Sequence, residues 1–193
     1  MRITGGTHRS RILKTLPGRL VRPTSDRVRQ ALFNILGPRL AQAKVLDLFA
    51  GTGSLGLEAL SRGADSAAFV DKDRRAVEVV RRNAGALGLA DRTRILCFDL
   101  LTSPKRLLSL GGPFDLVFID PPYDLTRSVG AGSKLALLLE LLWTEGIVEG
   151  KRGIAVLQHD RRSTVAEEGT SYRVSDRRSY GGTSLTFLVG RGC

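Results

Sequence analysis

The sequence has few of the residues that build disulfide frameworks or metal sites. Its 193 residues include two cysteines, Cys97 and Cys193, and two histidines, His8 and His159. Two cysteines are too few for a disulfide scaffold, which favours a reducing compartment, and we expect the protein to be cytoplasmic. Because the two histidines stand far apart and show no metal-ligand spacing, we expect no metal cofactor.

Long apolar runs and targeting signals are also missing. The most apolar helical stretch, Leu135 to Trp143, is interrupted by Glu140 and is too short to span a bilayer. The first six residues lack the apolar core of a signal peptide. We therefore expect neither secretion nor a membrane partner.

Acidic residues are scarce compared with basic ones. Asp and Glu number 19 against 30 Lys and Arg, and the formal net charge of +11 favours a polyanionic partner such as nucleic acid. Residues 1–30 hold eight basic residues against one acid, Asp26, and so carry +7 of that charge. We predict that residues 1–40 form a basic extension that offers its arginines to this partner, and that residues 41–193 form the main domain.

Two local elements are predicted within the basic extension. The segments Arg2–Thr4 and Ile12–Leu16 can pair as a small hairpin. A helix follows Pro23, because Thr24 or Ser25 can cap it and the next apolar residues recur at helical spacing.

From Lys44 onward, apolar runs alternate with helical periodicity. We predict strands at Val45–Phe49, Ala67–Val70, Arg94–Phe98, Phe114–Ile119 and Ile154–Leu157, helices at Leu55–Ser61, Arg74–Leu87 and Leu135–Trp143, and a closing antiparallel pair at Tyr172–Ser175 and Ser184–Val189. Runs that are apolar nearly throughout are typical of parallel strands buried on both faces. The predicted fold is therefore α/β: a doubly wound, mostly parallel sheet of seven strands with an antiparallel C-terminal hairpin.

A glycine-rich turn follows the first predicted strand. Gly51-x-Gly53-x-x-Gly56 opens a helix, and Asp71 ends the second strand 20 residues beyond Gly51. Glycines in such a turn let the backbone approach a ligand closely, and an acid at the second position accepts hydrogen bonds from ribose hydroxyls. The pattern predicts a cofactor that contains a nucleoside.

Two further acids bear on the identity of that cofactor. Asp47, near the end of the first strand, favours a cationic or amino-bearing ligand such as S-adenosylmethionine (AdoMet) over the pyrophosphate of a dinucleotide. Asp99 follows the third strand and is either an acceptor for an adenine amino group or a cap for the region Ser103–Leu110.

A second motif, Asp120-Pro121-Pro122-Tyr123, closes the fourth strand. Methyl transfer to an exocyclic amino group is difficult because the nitrogen lone pair is delocalised into the base. The Asp120 carboxylate and a backbone carbonyl held by rigid prolines can accept the two N–H groups, turn the lone pair toward a methyl donor and stabilise the developing positive charge. The ring of Tyr123 can stack on a base held out of its helix.

Together these motifs resemble those of class I AdoMet-dependent amino-methyltransferases. The N-terminal run Arg2-Ile3-Thr4-Gly5-Gly6, the run from Arg22 to Leu36 and the closing run Tyr180 to Leu185 further resemble the RsmD family. Members of that family methylate N2 of one guanine in 16S ribosomal RNA. The resemblance covers essentially the whole chain and rests on separated motifs that agree in order and spacing.

The resemblance implies roles for particular residues. It assigns to the cofactor Asp47, Phe49, Gly51, Gly53, Asp71 (ribose) and Asp99 (adenine); to the target base Asp120, Pro121, Pro122 and Tyr123; and to substrate RNA Arg22, Thr24, Asp26 and Arg27. It implies direct transfer of the methyl group without a metal, by a monomer acting on 16S rRNA within a small-subunit assembly particle. We further expect that removing residues 1–20 weakens RNA binding and spares AdoMet binding.

The chain departs from the family pattern after the fifth main strand. Gln158 and His159 stand where such proteins often have a glutamate, so we expect no carboxylate to act from that position here. We expect His159 to be structural or to contact RNA rather than to act as a base, because solvent can accept the proton of the methylated amino group.

Other functions share part of this pattern. A DNA or RNA amino-methyltransferase acting on adenine N6 or cytosine N4 would use the same motif, although a chain of 193 residues leaves no separate target-recognition domain. An NAD-dependent oxidoreductase shares the glycine pattern but has no use for Asp-Pro-Pro-Tyr. A non-enzymatic RNA-binding module accounts for the charge and not for the cofactor turn.

Overall fold

The computed structural model describes residues 1–16, 26–130 and 132–192. They form two compact units, Met1–Phe98 and Asp99–Cys193. No helix in these three ranges is long and apolar enough to cross a membrane.

The first unit is an α/β arrangement of three parallel strands. Its elements are α1 (Asp26–Leu36), β1 (Lys44–Leu48), α2 (Ser54–Ser61), β2 (Ser66–Asp71), α3 (Arg74–Ala86) and β3 (Thr93–Cys97). Strand β2 pairs in parallel with β1 on one side and with β3 on the other. Strands β1 and β2 are buried over almost their whole length, which is why their sequences are apolar on both faces.

The second unit contains parallel and antiparallel pairs. Its elements are β4 (Leu116–Ile119), α4 (Tyr123–Thr126), β5 (Ser128–Val129), α5 (Lys134–Thr144), β6 (Ile154–Asp160), β7 (Thr164–Val165), β8 (Tyr172–Tyr180) and β9 (Thr183–Gly190). Strand β4 is parallel to β6, whereas β9 is antiparallel to both β6 and β8. The short strands β5 and β7 make a separate parallel pair.

The strand order confirms the predicted fold class. Seven strands follow the order β3-β2-β1-β4-β6-β9-β8, with the antiparallel β8–β9 hairpin at the end. The predicted helices and strands are all present, with ends displaced by a few residues. The pair β5–β7 was not predicted, because two residues are too few to show a periodicity.

The N-terminal hairpin is present and packs on the first unit. The Ile3 amide donates to the Arg11 carbonyl at 3.0 Å, and the Leu13 amide donates to the Met1 carbonyl at 2.9 Å. The predicted pairing of Arg2–Thr4 with Ile12–Leu16 is therefore confirmed in part. Because Ile3 and Leu13 are buried, the hairpin contributes to the core. The predicted cap residues Thr24 and Ser25 lie outside the described residues.

A buried carboxylate on α2 anchors this hairpin. Glu58 is fully buried, and it accepts hydrogen bonds from the amide and hydroxyl of Thr4 at 2.7 and 2.8 Å. Its carboxylate also pairs with Arg62 at 2.8 Å and with Arg29 at 3.4 Å. Arg29 is itself fully buried, and its guanidinium donates to the Arg2 carbonyl. The prediction that the extension offers its arginines to a partner is wrong for Arg29, because its guanidinium is buried and paired with carboxylates within the fold.

Two adjacent glycines let the hairpin pack closely against the end of α2. Gly6 has φ +76°, and a Cβ there would lie 1.8 Å from the Ser61 carbonyl oxygen. A Cβ on Gly5 would lie 2.4 Å from the guanidinium of Arg62. A side chain on Gly6 would therefore push the hairpin away from the end of α2, whereas one on Gly5 would displace the Arg62 guanidinium.

Candidate cofactor and catalytic site

The glycine-rich turn links β1 to α2 and has an unusual backbone. Gly51 and Gly53 have φ angles of +57° and +75°, and Phe49 also has a positive φ, +60°. A non-glycine residue in this region carries strain, which proteins commonly retain at ligand sites. A Cβ on Gly51 would meet only the Phe49 carbonyl oxygen, at 3.9 Å. The backbone of Gly51 can therefore be approached closely from that side.

The other two glycines allow the turn to pack against α3 and helix α2 to pack against β2. A Cβ on Gly53 would lie 3.1 Å from Val80, and a Cβ on Gly56 would lie 2.4 Å from the ring of Phe69 on β2. Gly56 thus serves the contact between helix and strand that the third glycine of such turns provides.

Asp47, on β1, reaches the beginning of α2 with its side chain. Its side chain is buried, and Oδ2 accepts a hydrogen bond from the Gly56 amide at 2.9 Å. The first amides of a helix have no partner within the helix, so this carboxylate supplies one and stabilises the start of α2.

Asp71 ends β2 and holds the turn from the other side. Its Oδ2 accepts from the Gly51 amide at 2.8 Å, and its Oδ1 accepts from the Asp73 amide at 2.9 Å. Each carboxylate oxygen has two lone pairs, so both can still accept from a further donor such as a ribose hydroxyl. The open approach to Gly51 and the acceptor set of Asp71 fit the nucleoside part of AdoMet.

Asp99 begins the second unit and forms a local turn. Its Oδ1 accepts from the Leu101 amide at 2.9 Å, and its carbonyl accepts from the Ser103 amide at 3.0 Å. These bonds close a turn ahead of the 3-10 segment Pro104–Leu110, whose N-cap residue is Ser103, so both roles of Asp99 stay predictions.

The motif that follows β4 places Asp120 beside a residue of the neighbouring strand. In the parallel register of β4 and β6, Ile119 lies opposite Leu157, so the next residues, Asp120 and Gln158, are adjacent. The Gln158 Nε2 donates to Asp120 Oδ1 at 2.8 Å, and Gln158 is buried. Gln158 thereby fixes the orientation of the Asp120 carboxylate without adding a second negative charge.

The two prolines of the motif shape the chain between β4 and α4. Pro122 is extended, with φ −52° and ψ 142°, and directly precedes the short helix that begins at Tyr123. The Leu125 amide donates to the Pro122 carbonyl at 3.0 Å and closes the turn. The backbone around Asp120 is thus restrained by the proline rings and by α4.

His159 has both ring nitrogens engaged. Nδ1 is 2.8 Å from the Asp160 carbonyl oxygen, and Nε2 is 2.8 Å from the Thr186 hydroxyl. Since a carbonyl can only accept, the proton lies on Nδ1 and the Thr186 hydroxyl donates to Nε2. Burial lowers the pKa of His159 and the charge of Arg177 lowers it further. A neutral, buried and fully bonded imidazole is a structural group, as expected for His159.

The residues predicted to contact RNA are only partly described. Arg22 and Thr24 lie outside the described residues. Arg27 is exposed, whereas the Asp26 carboxylate pairs with Arg2 at 3.3 Å and with Arg29 at 2.9 Å. On the hairpin, the exposed basic side chains are Arg2, Arg9, Arg11 and Lys14.

Comparison with known proteins identifies the family. Residues 1–189 match the family model described as Conserved hypothetical protein 95. The chain belongs to this family. The Ribosomal RNA small subunit methyltransferase D of Escherichia coli K12 is 41% identical over 123 residues, which are 64% of this chain and 60% of that protein. The protein of the same name from Haemophilus influenzae is 36% identical over 147 residues, 74% of this chain and 72% of that protein.

A solved structure supports the same assignment. A hypothetical protein from Thermus thermophilus is 34% identical in sequence, and its structure matches with a TM-score of 0.76 over 98% of each chain. The matches confirm the RsmD family that the motifs indicated. The family and the strand order make the chain a class I methyltransferase, the class that uses AdoMet as methyl donor.

Proposed function

We propose that this protein transfers the methyl group of AdoMet to the exocyclic N2 of a guanine in 16S ribosomal RNA. The observation that carries the proposal is the Asp120 carboxylate, oriented by Gln158 at the end of β4, in a chain of the RsmD family. The names of the relatives from Escherichia coli and Haemophilus influenzae support ribosomal RNA of the small subunit as substrate.

The glycine-rich turn and its acids would hold the cofactor. We assign contact with it to Phe49, Gly51 and Gly53 through the backbone, and ribose binding to Asp71, whose carboxylate is already fixed by the Gly51 amide. Asp47 would favour the positively charged methionine end, and Asp99 the adenine. Bound there, AdoMet supplies an electrophilic methyl group on its sulfonium.

The Asp120 motif would prepare the attacking amino group. We assign to Asp120 and to the Pro121 carbonyl the acceptance of the two N–H groups, which leaves the nitrogen lone pair directed at the methyl group. The carboxylate also stabilises the positive charge that develops on the nitrogen. Tyr123, with Pro122 before it, would stack on the extruded guanine, and the proton released after transfer passes to solvent.

Substrate recognition is assigned to the basic extension. The exposed side chains of Arg9, Arg11, Lys14 and Arg27 are suited to phosphate contacts, and Arg22, Thr24 and Asp26 complete the proposed set. In this view residues 1–40 dock the RNA and residues 41–193 carry out the transfer. We propose that the substrate is rRNA in a small-subunit assembly particle, which places the protein, as a monomer, in the cytoplasm.

Methyl transfer by the purified protein tests the assignment. We expect labelled AdoMet to methylate 16S rRNA or small-subunit particles from cells that lack the protein, with N2-methylguanosine as the product in nucleoside mass spectrometry. Asp120→Ala should lower the rate at least about 100-fold while calorimetry shows unchanged AdoMet binding. Asp124→Ala is the matched control, because Asp124 is an exposed acid on α4.

Four results would contradict parts of the proposal. A rate unchanged by Asp120→Ala would refute the catalytic assignment, and methylation of adenine N6 or cytosine N4 would refute the guanine target. Transfer to naked rRNA with no preference for particles would refute the assembly-particle substrate. A dimer in sedimentation would refute the monomer.

A further inference from the structure

Asn83 on α3 is a buried polar side chain that the proposed function does not use. It is 2% exposed and lies in the same buried stripe of α3 as Val80 and Ala84. Its Oδ1 accepts from the Lys14 amide at 2.8 Å, and its Nδ2 donates to the Lys14 carbonyl at 3.1 Å and to the Thr52 carbonyl at 3.0 Å. One amide group thus ties together two backbone segments.

The two segments belong to different parts of the site. Thr52 lies between the glycines of the cofactor turn, and Lys14 is in the basic hairpin. The turn is held at its other end by the bond from the Gly51 amide to Asp71. A second contact joins turn and hairpin, because the Thr52 hydroxyl lies 3.6 Å from the Met1 sulfur. The cofactor turn is therefore fixed between Asp71 on one side and the hairpin on the other.

We propose that Asn83 is a positioning residue that shapes the cofactor turn and couples cofactor binding to RNA binding. The coupling rests on the proposed function, because it requires RNA to bind the hairpin. The side-chain amide of Asn83 is planar and rigid. When the Lys14 peptide moves, this amide moves with it, and the Thr52 carbonyl that it binds is displaced as well. RNA held by Arg11 and Lys14 acts on the same peptide that Asn83 binds.

The coupling is positive. AdoMet binding requires an ordered turn, and RNA binding requires an ordered hairpin end. Because Asn83 joins the two, binding of either ligand orders both segments, and the second ligand then loses less conformational entropy on binding. By linkage the effect is reciprocal.

Binding of S-adenosylhomocysteine without RNA tests the positioning role. We expect Asn83→Ala to weaken this binding on the order of tenfold, because the Thr52 carbonyl and the Lys14 peptide lose their partner. Asn83→Asp should weaken it similarly, because a carboxylate oxygen would face both carbonyls. The matched control is Ser61→Ala, which removes the bonds of the Ser61 hydroxyl to the Gly5 carbonyl at 2.7 Å and the His8 amide at 2.9 Å.

The control separates the role of Asn83 from general anchoring of the hairpin. Ser61→Ala loosens the hairpin at the end that does not contact Thr52, so it should leave the affinity for S-adenosylhomocysteine within about twofold of wild type. Thermal melts establish that the three variants are folded. Equal losses in Ser61→Ala and Asn83→Ala, or no loss in either Asn83 variant, would overturn the positioning role.

The coupling is measured as a ratio of affinities. Equilibrium dialysis of labelled S-adenosylhomocysteine is repeated with saturating small-subunit particles from cells that lack the protein. We expect the wild-type affinity to rise about fivefold or more, Ser61→Ala to keep that ratio, and Asn83→Ala to reduce it to about one. A ratio preserved in Asn83→Ala would overturn the coupling. If wild-type protein binds no such particles, the proposed function and the coupling both fail, while the titration without RNA still decides the positioning role.

Discussion

Replacing Glu58 by Gln tests whether the buried ion cluster holds the N-terminal hairpin on the fold. The substitution keeps the size of the side chain and removes its charge. Both guanidinium partners remain, and of these Arg29 is fully buried while the side chain of Arg62 is 16% exposed. Thr4 loses an acceptor for its amide or its hydroxyl, because a glutamine offers one carbonyl oxygen where the carboxylate offered two.

The expected loss of stability follows from the burial of Arg29. Removing one partner of a buried pair typically costs about 3–5 kcal/mol, because it leaves an uncompensated charge. Asp26 still pairs with Arg29 at 2.9 Å, and its side chain is 46% exposed, so it offsets part of this loss. We therefore expect the lower end, about 3 kcal/mol. At about 2–4 °C per kcal/mol for a chain of this size, Tm should fall by about 6–12 °C.

Thermal and urea unfolding measure the effect, with Glu78→Gln as control. Glu78 pairs with Arg81 on the surface of α3, where both side chains are about half exposed. The control makes the same chemical change in an exposed pair and should cost less than about 0.5 kcal/mol. If Glu58→Gln cost no more than its control, Arg29 would not depend on Glu58 and the anchoring role would be refuted.

Three further predictions concern acid stability, close packing and RNA affinity. Because the pKa of His159 is lowered in the fold, the unfolded chain takes up a proton first as pH falls below about 6.5, and the free energy of unfolding falls by at most about 1.4 kcal/mol per pH unit. His159→Gln should therefore flatten the decline in Tm between about pH 6.5 and 5. An unchanged decline would contradict this. Gly6→Ala should cost clearly more in urea unfolding than Gly181→Ala, since both have positive φ but only Gly6 faces a backbone oxygen; equal costs would be inconsistent with the close contact. Arg9→Gln should reduce the slope of log binding constant against log salt concentration for rRNA by about 0.7–0.9. Arg75→Gln should change that slope little, because Arg75 is already paired with Asp73. The reverse order would place the RNA surface elsewhere.

The sequence predicts those features that depend on neighbours along the chain. The apolar runs of β1 and β2, the glycine turn and the Asp120 motif each lie within a few consecutive residues, and their positions were predicted correctly. Gln158 could have been found as a partner of Asp120, because Asp120 follows β4 and Gln158 lies at the matching position of the adjacent parallel strand β6. That inference needs the strand register, which apolar patterning alone does not fix.

Contacts between distant segments could not be predicted in this way. Asn83 looks like a solvent-facing polar residue on α3, and Arg29 looks like one more positive charge of the extension. Each is buried because a segment far away in the chain packs over it. The expectation that residues 1–20 can be removed without affecting AdoMet binding fails to take account of this packing, since Ile3 and Leu13 lie in the core and Met1 contacts Thr52. Single substitutions on the exposed hairpin are the better test of its RNA role.

The docking of the hairpin also sets the order of events during synthesis. Residues 1–13 leave the ribosome before their partners on α2 and α3, which extend to Ala86, to whose carbonyl Arg11 donates. At roughly 5–20 residues per second, about 4–15 s pass before the hairpin can complete its packing. Throughout that interval the strongly basic hairpin stays undocked beside ribosomal RNA, the same kind of polyanion that the folded enzyme is proposed to modify.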